Sequence, residues 1–332
     1  MISRREVLRR LAVMTGGMSL LPWRAIADAA GAGDVGKPET DALGPTLPRR
    51  VLGKTGMRVS MLTIGGSHIG RPSEADAQAI IEGAIELGVR TFETAQLYQN
   101  GGSEERLGRF LTPKYREHVQ LFTKTMAEDA ATARRHLDDS LRRLRTDVID
   151  LWQLHDVRSV EQAERRVKGV LDVMLEAKAQ GRVRHIGFSG HATWRAHARV
   201  LELTDQFETC LMPINVADPS YESFILNILP KLTERDMGVL AMKTLGGDGL
   251  MGRRGRPGII PELLSVSEAL RFVWSLPIGT LVSGIGKVQH LHENVETART
   301  FVPMSAEERA ALIEKVRPRA AGGELEYYKF DR

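Results

Sequence analysis

The 332-residue chain has only one cysteine, Cys210. One thiol cannot close an internal disulfide, and no Cys/His spacing matches a metal site, so neither a disulfide framework nor a bound metal is expected. Cys210 reads as a small buried apolar residue, and cysteine scarcity suits an oxidising compartment. Long apolar runs are also missing. The most apolar segment, Leu11 to Leu21, is broken by Gly16 and Gly17 and stops at Pro22, too short to span a bilayer as a stable helix. Surplus charge is missing from most of the chain. The formal charge is +4, but residues 1–27 carry five arginines against one glutamate, and the remainder balances to zero. A neutral body argues against a nucleic-acid binder, whose affinity rests on phosphate neutralisation.

The chain opens with signals in a definite order. Ser3-Arg4-Arg5-Glu6-Val7-Leu8-Arg9 precedes the short apolar stretch, and Ala25-Ile26-Ala27 follows as a small-x-small cleavage pattern. This resembles a twin-arginine (Tat) signal over residues 1–27. The resemblance implies passage through the Tat translocase, a periplasmic or otherwise exported protein, and a cofactor loaded before export. An amphipathic helix kept on the protein and an uncleaved membrane tether are the alternatives. Residues 28–48, rich in Ala, Gly, Pro and Asp, read as a flexible linker.

Residues 49–332 show a repeating order. A hairpin over Arg50–Ser60 turns at Gly53-Lys54-Thr55-Gly56. Strand-like apolar runs then occur at 61–65, 91–95, 119–123, 149–154, 183–188, 209–214, 238–242 and 279–282. Helix-period segments lie between them at 73–87, 103–111, 132–144, 167–179, 193–203, 222–234, 261–276 and 288–300. Strands and helices alternating at about thirty-residue spacing predict an α/β fold, a (β/α)8 TIM barrel preceded by a β-hairpin. The rival, an open doubly wound sheet, would show G-x-G-x-x-G after its first strand, whereas the segment there is Gly65-Gly66-Ser67-His68-Ile69-Gly70.

Such barrels carry their chemistry at the C-terminal ends of the strands. There the chain places Glu93, Tyr98, Lys124 and His155. Alone, each has an ordinary reading: a solvated lysine, a packing tyrosine, a core histidine. Together with Thr91-Phe92-Glu93-Thr94-Ala95-x-x-Tyr98 and Ser103-Glu104-Glu105-Arg106-Leu107-Gly108, they resemble the aldo-keto reductase family, over nearly the whole of 49–332. The resemblance implies a nicotinamide-dependent oxidoreductase acting on a small carbonyl or hydroxyl substrate. Tyr98 would exchange the proton, Lys124 would lower its pKa, Glu93 would hold the lysine and His155 would polarise the substrate oxygen. Glu93 departs from the pattern, which has Asp there.

The resemblance also assigns cofactor contacts to Ser189, Asn215, Met242, Lys243, Gly284, Gly286, Lys287, His290, Glu293 and Asn294. Gly190 and Leu211 stand where Asn and Gln are usual. The basic pair that reads a 2′-phosphate is replaced by Gly284 and His290, with Lys287 nearby; the balance leans to NADP(H) over NAD(H). Segments Ser67–Arg71, Val157–Glu161 and Asp248–Gly258 are expected to shape the substrate pocket. Two alternatives stay open: a catalytically weak cofactor-binding regulator or sensor on the same barrel, and an enzyme whose catalysis runs mainly as alcohol oxidation. Nothing in the sequence fixes the oligomeric state.

Overall fold

The computed structural model describes residues 39–253 and 255–329. The export signal expected over residues 1–27 lies outside the described residues. Eight parallel strands form a closed barrel: β5 (Leu62–Gly65), β6 (Thr91–Glu93), β7 (Gln120–Thr125), β8 (Ile149–Leu154), β9 (Val183–Ser189), β10 (Thr209–Pro213), β11 (Gly238–Met242) and β12 (Thr280–Gly284). β12 pairs back onto β5, Leu281 opposite Leu62 and Gly284 opposite Gly65. Helices pack outside, so most strand positions are buried on both faces.

Strand periodicity sorts the barrel interior into layers. Phe122, Leu151, Leu211 and Leu240 form an apolar cluster with Leu52 and Val59 of the N-terminal hairpin, β3 (Arg49–Val51) and β4 (Arg58–Ser60). The hairpin thus stoppers one end of the barrel. It comes close: a Cβ on Gly238 would meet Leu52 Cγ at 2.6 Å, and one on Gly53 would strike the Gly238 amide at 2.4 Å. Two residues further along the same strands, the inward positions become polar, Lys124 after Phe122 and Gln153 after Leu151.

Helix starts follow local chemistry. Ser73, Asp129, Ser159 and Ser265 each accept a hydrogen bond from a backbone N–H of the first turn. The helix expected over 222–234 is two short ones, Phe224–Asn227 and Leu229–Glu234. Pro230 lacks an N–H and crowds the preceding turn, which breaks the run. The helix expected from residue 261 begins at Val266, where Ser265 and Glu268 form a capping box. Helix Ala306–Ala320 was not expected, although Ser305 and Glu308 make the same box at its start.

Residues 39–48 are not linker. β1 (Thr40–Asp41) pairs antiparallel with β2 (Gly44–Pro45), and Leu47 is buried in the core. Asp41 anchors the segment: Arg90 Nε and Arg49 donate to its Oδ2 at 2.8 and 2.9 Å, and Arg90 Nη2 to its Oδ1 at 3.0 Å.

Candidate active site

Among the described residues, one cavity has a volume of about 510 Å³ and another about 500 Å³. The first, lined by Arg49, Arg116, Asp150 and Arg184, sits around the N-terminal ends of β7 to β9. The second opens at the C-terminal ends of the strands and contains Glu93, Tyr98, Lys124 and His155.

Lys124 is the centre of this site. Its side chain is 1% exposed, and its ammonium contacts the Glu93 carboxylate. It also donates to the Thr94 carbonyl at 2.7 Å and reaches the Tyr98 hydroxyl at 3.2 Å. Tyr98 is placed by a tight turn in which Gln99 and Asn100 take left-handed φ of 49° and 53°. The His155 ring meets the Tyr98 ring edge-on, centroids 5.6 Å apart at 86°. Buried Arg166 donates to the carbonyls of Thr125, Ala127 and His155, which fixes the ends of β7 and β8.

Burial governs the protonation of these groups. It pushes the Tyr98 phenol above its ordinary value, and the Asp156 charge adds to the rise. It pushes Lys124 well below the ordinary lysine value, against the pull of Asp156. His155 is held well below the ordinary histidine value by burial first, then by Lys124 and Arg166. The resting site therefore carries a neutral phenol and a neutral imidazole. For a phenol this deeply placed, desolvation of the phenolate dominates.

Of the expected cofactor contacts, Ser189, Met242, Lys243, Gly284 and Asn294 line the same cavity. Ser189 Oγ binds the Asp156 N–H and the Leu154 carbonyl, 3.2 and 3.3 Å. Asn294 Nδ2 donates to Ser283 Oγ at 3.0 Å. Gly284 lies against His68: a Cβ there would lie 2.3 Å from His68 Nδ1, so the imidazole would have to move. Gly286, Lys287, His290 and Glu293 are exposed on the segment that leads from Gly284 to Asn294 and do not line the cavity. Asn215 is a correction. It is fully buried, its Nδ2 donates to Glu326 Oε1 at 2.7 Å and Tyr328 Oη at 3.0 Å, and its Oδ1 accepts from the N–H groups of Ala217 and Asp218. Both side-chain polar atoms of Asn215 are thus engaged within the protein, where they hold the C-terminal segment.

Sequence reasoning did not single out Asp156 or His191, which line the cavity together with Tyr327 of the C-terminal tail. Asp156 follows His155 directly, the only signal available. Tyr327 arrives from the far end of the chain; its hydroxyl donates to the Gly247 carbonyl at 2.6 Å and its ring lies 3.9 Å from the Arg253 guanidinium.

The sequence model of the aldo/keto reductase family matches residues 61–265, well over half of the chain. This protein belongs to the aldo/keto reductase family. A curated relative, L-galactose dehydrogenase of Arabidopsis thaliana, is 27% identical over 74% of this chain and 86% of its own length. Among solved structures, the holo form of an aldo-keto reductase from Bacillus halodurans superimposes with a TM-score of 0.70, 23% identity, and coverage of 81% of this chain and 96% of that one. An aldo-keto reductase from Klebsiella pneumoniae, solved in complex with NADPH, gives 0.66 at 22% identity over 80% and 94%.

Proposed function

We propose that this aldo/keto reductase interconverts a small carbonyl compound and its alcohol using a nicotinamide nucleotide, with NADP(H) preferred to NAD(H). One observation carries the reading: a single buried ammonium, Lys124, touches both the Glu93 carboxylate and the Tyr98 hydroxyl inside a cavity that His155 also lines. The cavity suits the nucleotide. Lys243 and Arg253 line it without a carboxylate partner among the described residues. Lys243, Gly246 and Gly247 have left-handed φ of 59°, 63° and 59°, an irregular backbone of the kind that turns successive N–H groups toward an anion. These residues would hold the phosphates, and Ser189 and Asn294 would meet the two ends of the nucleotide.

The nicotinamide, when bound, supplies or accepts the hydride. The chain does the rest. In reduction, Tyr98 donates its hydroxyl proton to the oxygen of the carbonyl as charge develops there; in oxidation it takes the proton back. Lys124 lies within hydrogen-bonding reach of the tyrosine oxygen and steadies the phenolate while it exists. His155, neutral through burial, donates a hydrogen bond to the same substrate oxygen. The Tat-like segment supports a second part of the proposal, that the folded protein is exported with its nucleotide.

The test is native mass spectrometry of the purified full chain, identification of any released nucleotide, and NADPH or NADH oxidation with simple aldehydes. Bound nucleotide and aldehyde-dependent turnover are expected. A chain that binds neither nucleotide overturns the reading.

A further inference from the structure

We propose that Arg166 is a positioning residue of this site: from a helix outside the barrel it grips the backbone behind both Lys124 and His155 and places a buried positive charge at the His155 carbonyl. This rests on the oxidoreductase reading above and deepens it with a residue that does not itself line the cavity.

The helix Val160–Ala179 buries Ala163, Arg166, Val167 and Val170, the spacing of one helix face. Three of them are apolar, as such a stripe requires. The fourth is a guanidinium at 0% exposure. Its neighbour Arg165 shows the ordinary arrangement: largely exposed, it binds Glu128 through Nε and Nη2 at 2.9 and 3.0 Å. Glu128 is also the carboxylate whose charge acts most on Arg166, and it is already held. All three nitrogens of Arg166 go to carbonyls instead: Nη1 to His155 at 2.5 Å, Nη2 to Thr125 at 2.9 Å and Nε to Ala127 at 3.1 Å. Gly169 lets the helix come this close, since a Cβ there would lie 2.1 Å from the Glu128 carbonyl. A charge buried in this way costs stability that an apolar residue would not, so its presence calls for a role.

The gripped carbonyls lie behind the chemistry. Thr125 ends β7 directly after Lys124, and His155 directly follows β8. The Thr125 carbonyl also accepts the His155 N–H at 2.8 Å, so one guanidinium ties the two strand ends together. Its charge has a second effect. Burial first, then Lys124, Arg166, His191 and Arg158, oppose a proton on His155. Tyr98 presents only its ring to the imidazole. The nearby carboxylates are engaged elsewhere, Glu93 by Lys124 and Asp156 by Arg158. Burial brings Arg166 itself down only to about 10, so it stays charged across the neutral range.

The experiment titrates His155 in the full chain by histidine nitrogen NMR, from about pH 8 to the acid limit of the folded state. Its signal is identified by loss in His155→Asn. In parallel, kcat and KM are measured for one aldehyde with NADPH and with NADH. Arg166→Gln removes the charge; it should raise the pH at which His155 gains its proton by about one unit and lower kcat about tenfold. Arg166→Lys keeps the charge but not the three-armed grip. It should leave the His155 titration near that of the wild type and still lower kcat about tenfold, with KM little changed. A role in packing alone would lower stability and leave the titration unmoved. A folded Arg166→Gln with an unmoved titration, or a folded Arg166→Lys with wild-type kcat, overturns the proposal. So does a wild-type His155 that protonates in the ordinary histidine range, without any variant. Failure of the wild type to turn over the aldehyde overturns the oxidoreductase reading, whereas the titration still judges Arg166.

Discussion

Lys124 Nζ stands 3.2 Å from the Tyr98 hydroxyl and 4.7 Å from the centroid of its ring, so the cation addresses the oxygen obliquely across the ring edge. The ammonium is anchored from below by Glu93 and the Thr94 carbonyl. Tyr98→Phe keeps the ring and its edge contact with His155 but removes the proton. Turnover in both directions should fall by about 10²–10⁴-fold, measured as kcat/KM with one aldehyde and its alcohol. A loss confined to KM would remove Tyr98 from the chemistry.

Glu93 is 2% exposed and in contact with Lys124. Glu93→Asp retracts the carboxylate by one methylene, a displacement of about 1 Å, which is enough to matter in an active site. We expect kcat to fall by about tenfold, because the lysine loses its anchor. A rise in kcat would mean that the natural site is detuned and would favour a regulatory role.

The raised pKa of Tyr98 sets the pH profile. The phenol stays protonated across the neutral range, so reduction should be flat from pH 6 to 9. Oxidation needs the phenolate, and its rate should climb with pH without levelling below about pH 10. A plateau in oxidation near pH 7 would show that Lys124 prevails over burial.

Asn215→Ala tests the corrected assignment. It strips a donor from Glu326 and Tyr328 and an acceptor from two backbone N–H groups. The expected cost is about 1–3 kcal/mol of stability, seen as a lower denaturation midpoint, with little change in nucleotide affinity. The reverse pattern would return Asn215 to the cofactor site.

Acid stability follows from two carboxylates. Asp41 is lowered from 3.8 to about 2, by Arg90 foremost. Burial alone would raise Glu208, but hydrogen bonds from His185, Lys178 and the Ile186 N–H outweigh it and bring it from 4.5 to about 2. Folded-state values below the unfolded ones give stability that is complete above about pH 5 and is lost as pH falls toward 2. Glu326, raised to about 6 by burial, acts with the opposite sign: its contribution is present below 4.5 and lost as pH rises through 6. Urea titrations at pH 3 and 7 should show a smaller difference for Asp41→Asn than for the wild type.

The eight strands were legible because most are buried, largely apolar runs at regular spacing, and the polar residues of the cavity because Glu93, Lys124 and His155 fall at or just after strand ends. Residues 39–48 misled because their order comes from Asp41 and Arg90, 49 positions apart. Asn215 misled likewise, since Glu326 lies 111 positions away. Composition and periodicity register neighbours along the chain, and an ion pair or amide bond across the fold leaves no local trace. Helix Ala306–Ala320 is different: its Ser305/Glu308 capping box is a local signal that the sequence itself carries.

The seam between β5 and β12 also orders events in time. Thr63 Oγ1 and Thr280 Oγ1 are hydrogen-bonded at 2.7 Å across 217 residues. β5 is made early in synthesis, and one of its edges waits for a partner until residues 280–284 have emerged. Through that interval the growing sheet has an open strand edge, the state in which a nascent chain is most prone to pair with the wrong neighbour. Contacts this distant also make folding slow. Closure of the seam, rather than any single helix docking, is the event that ends this exposure.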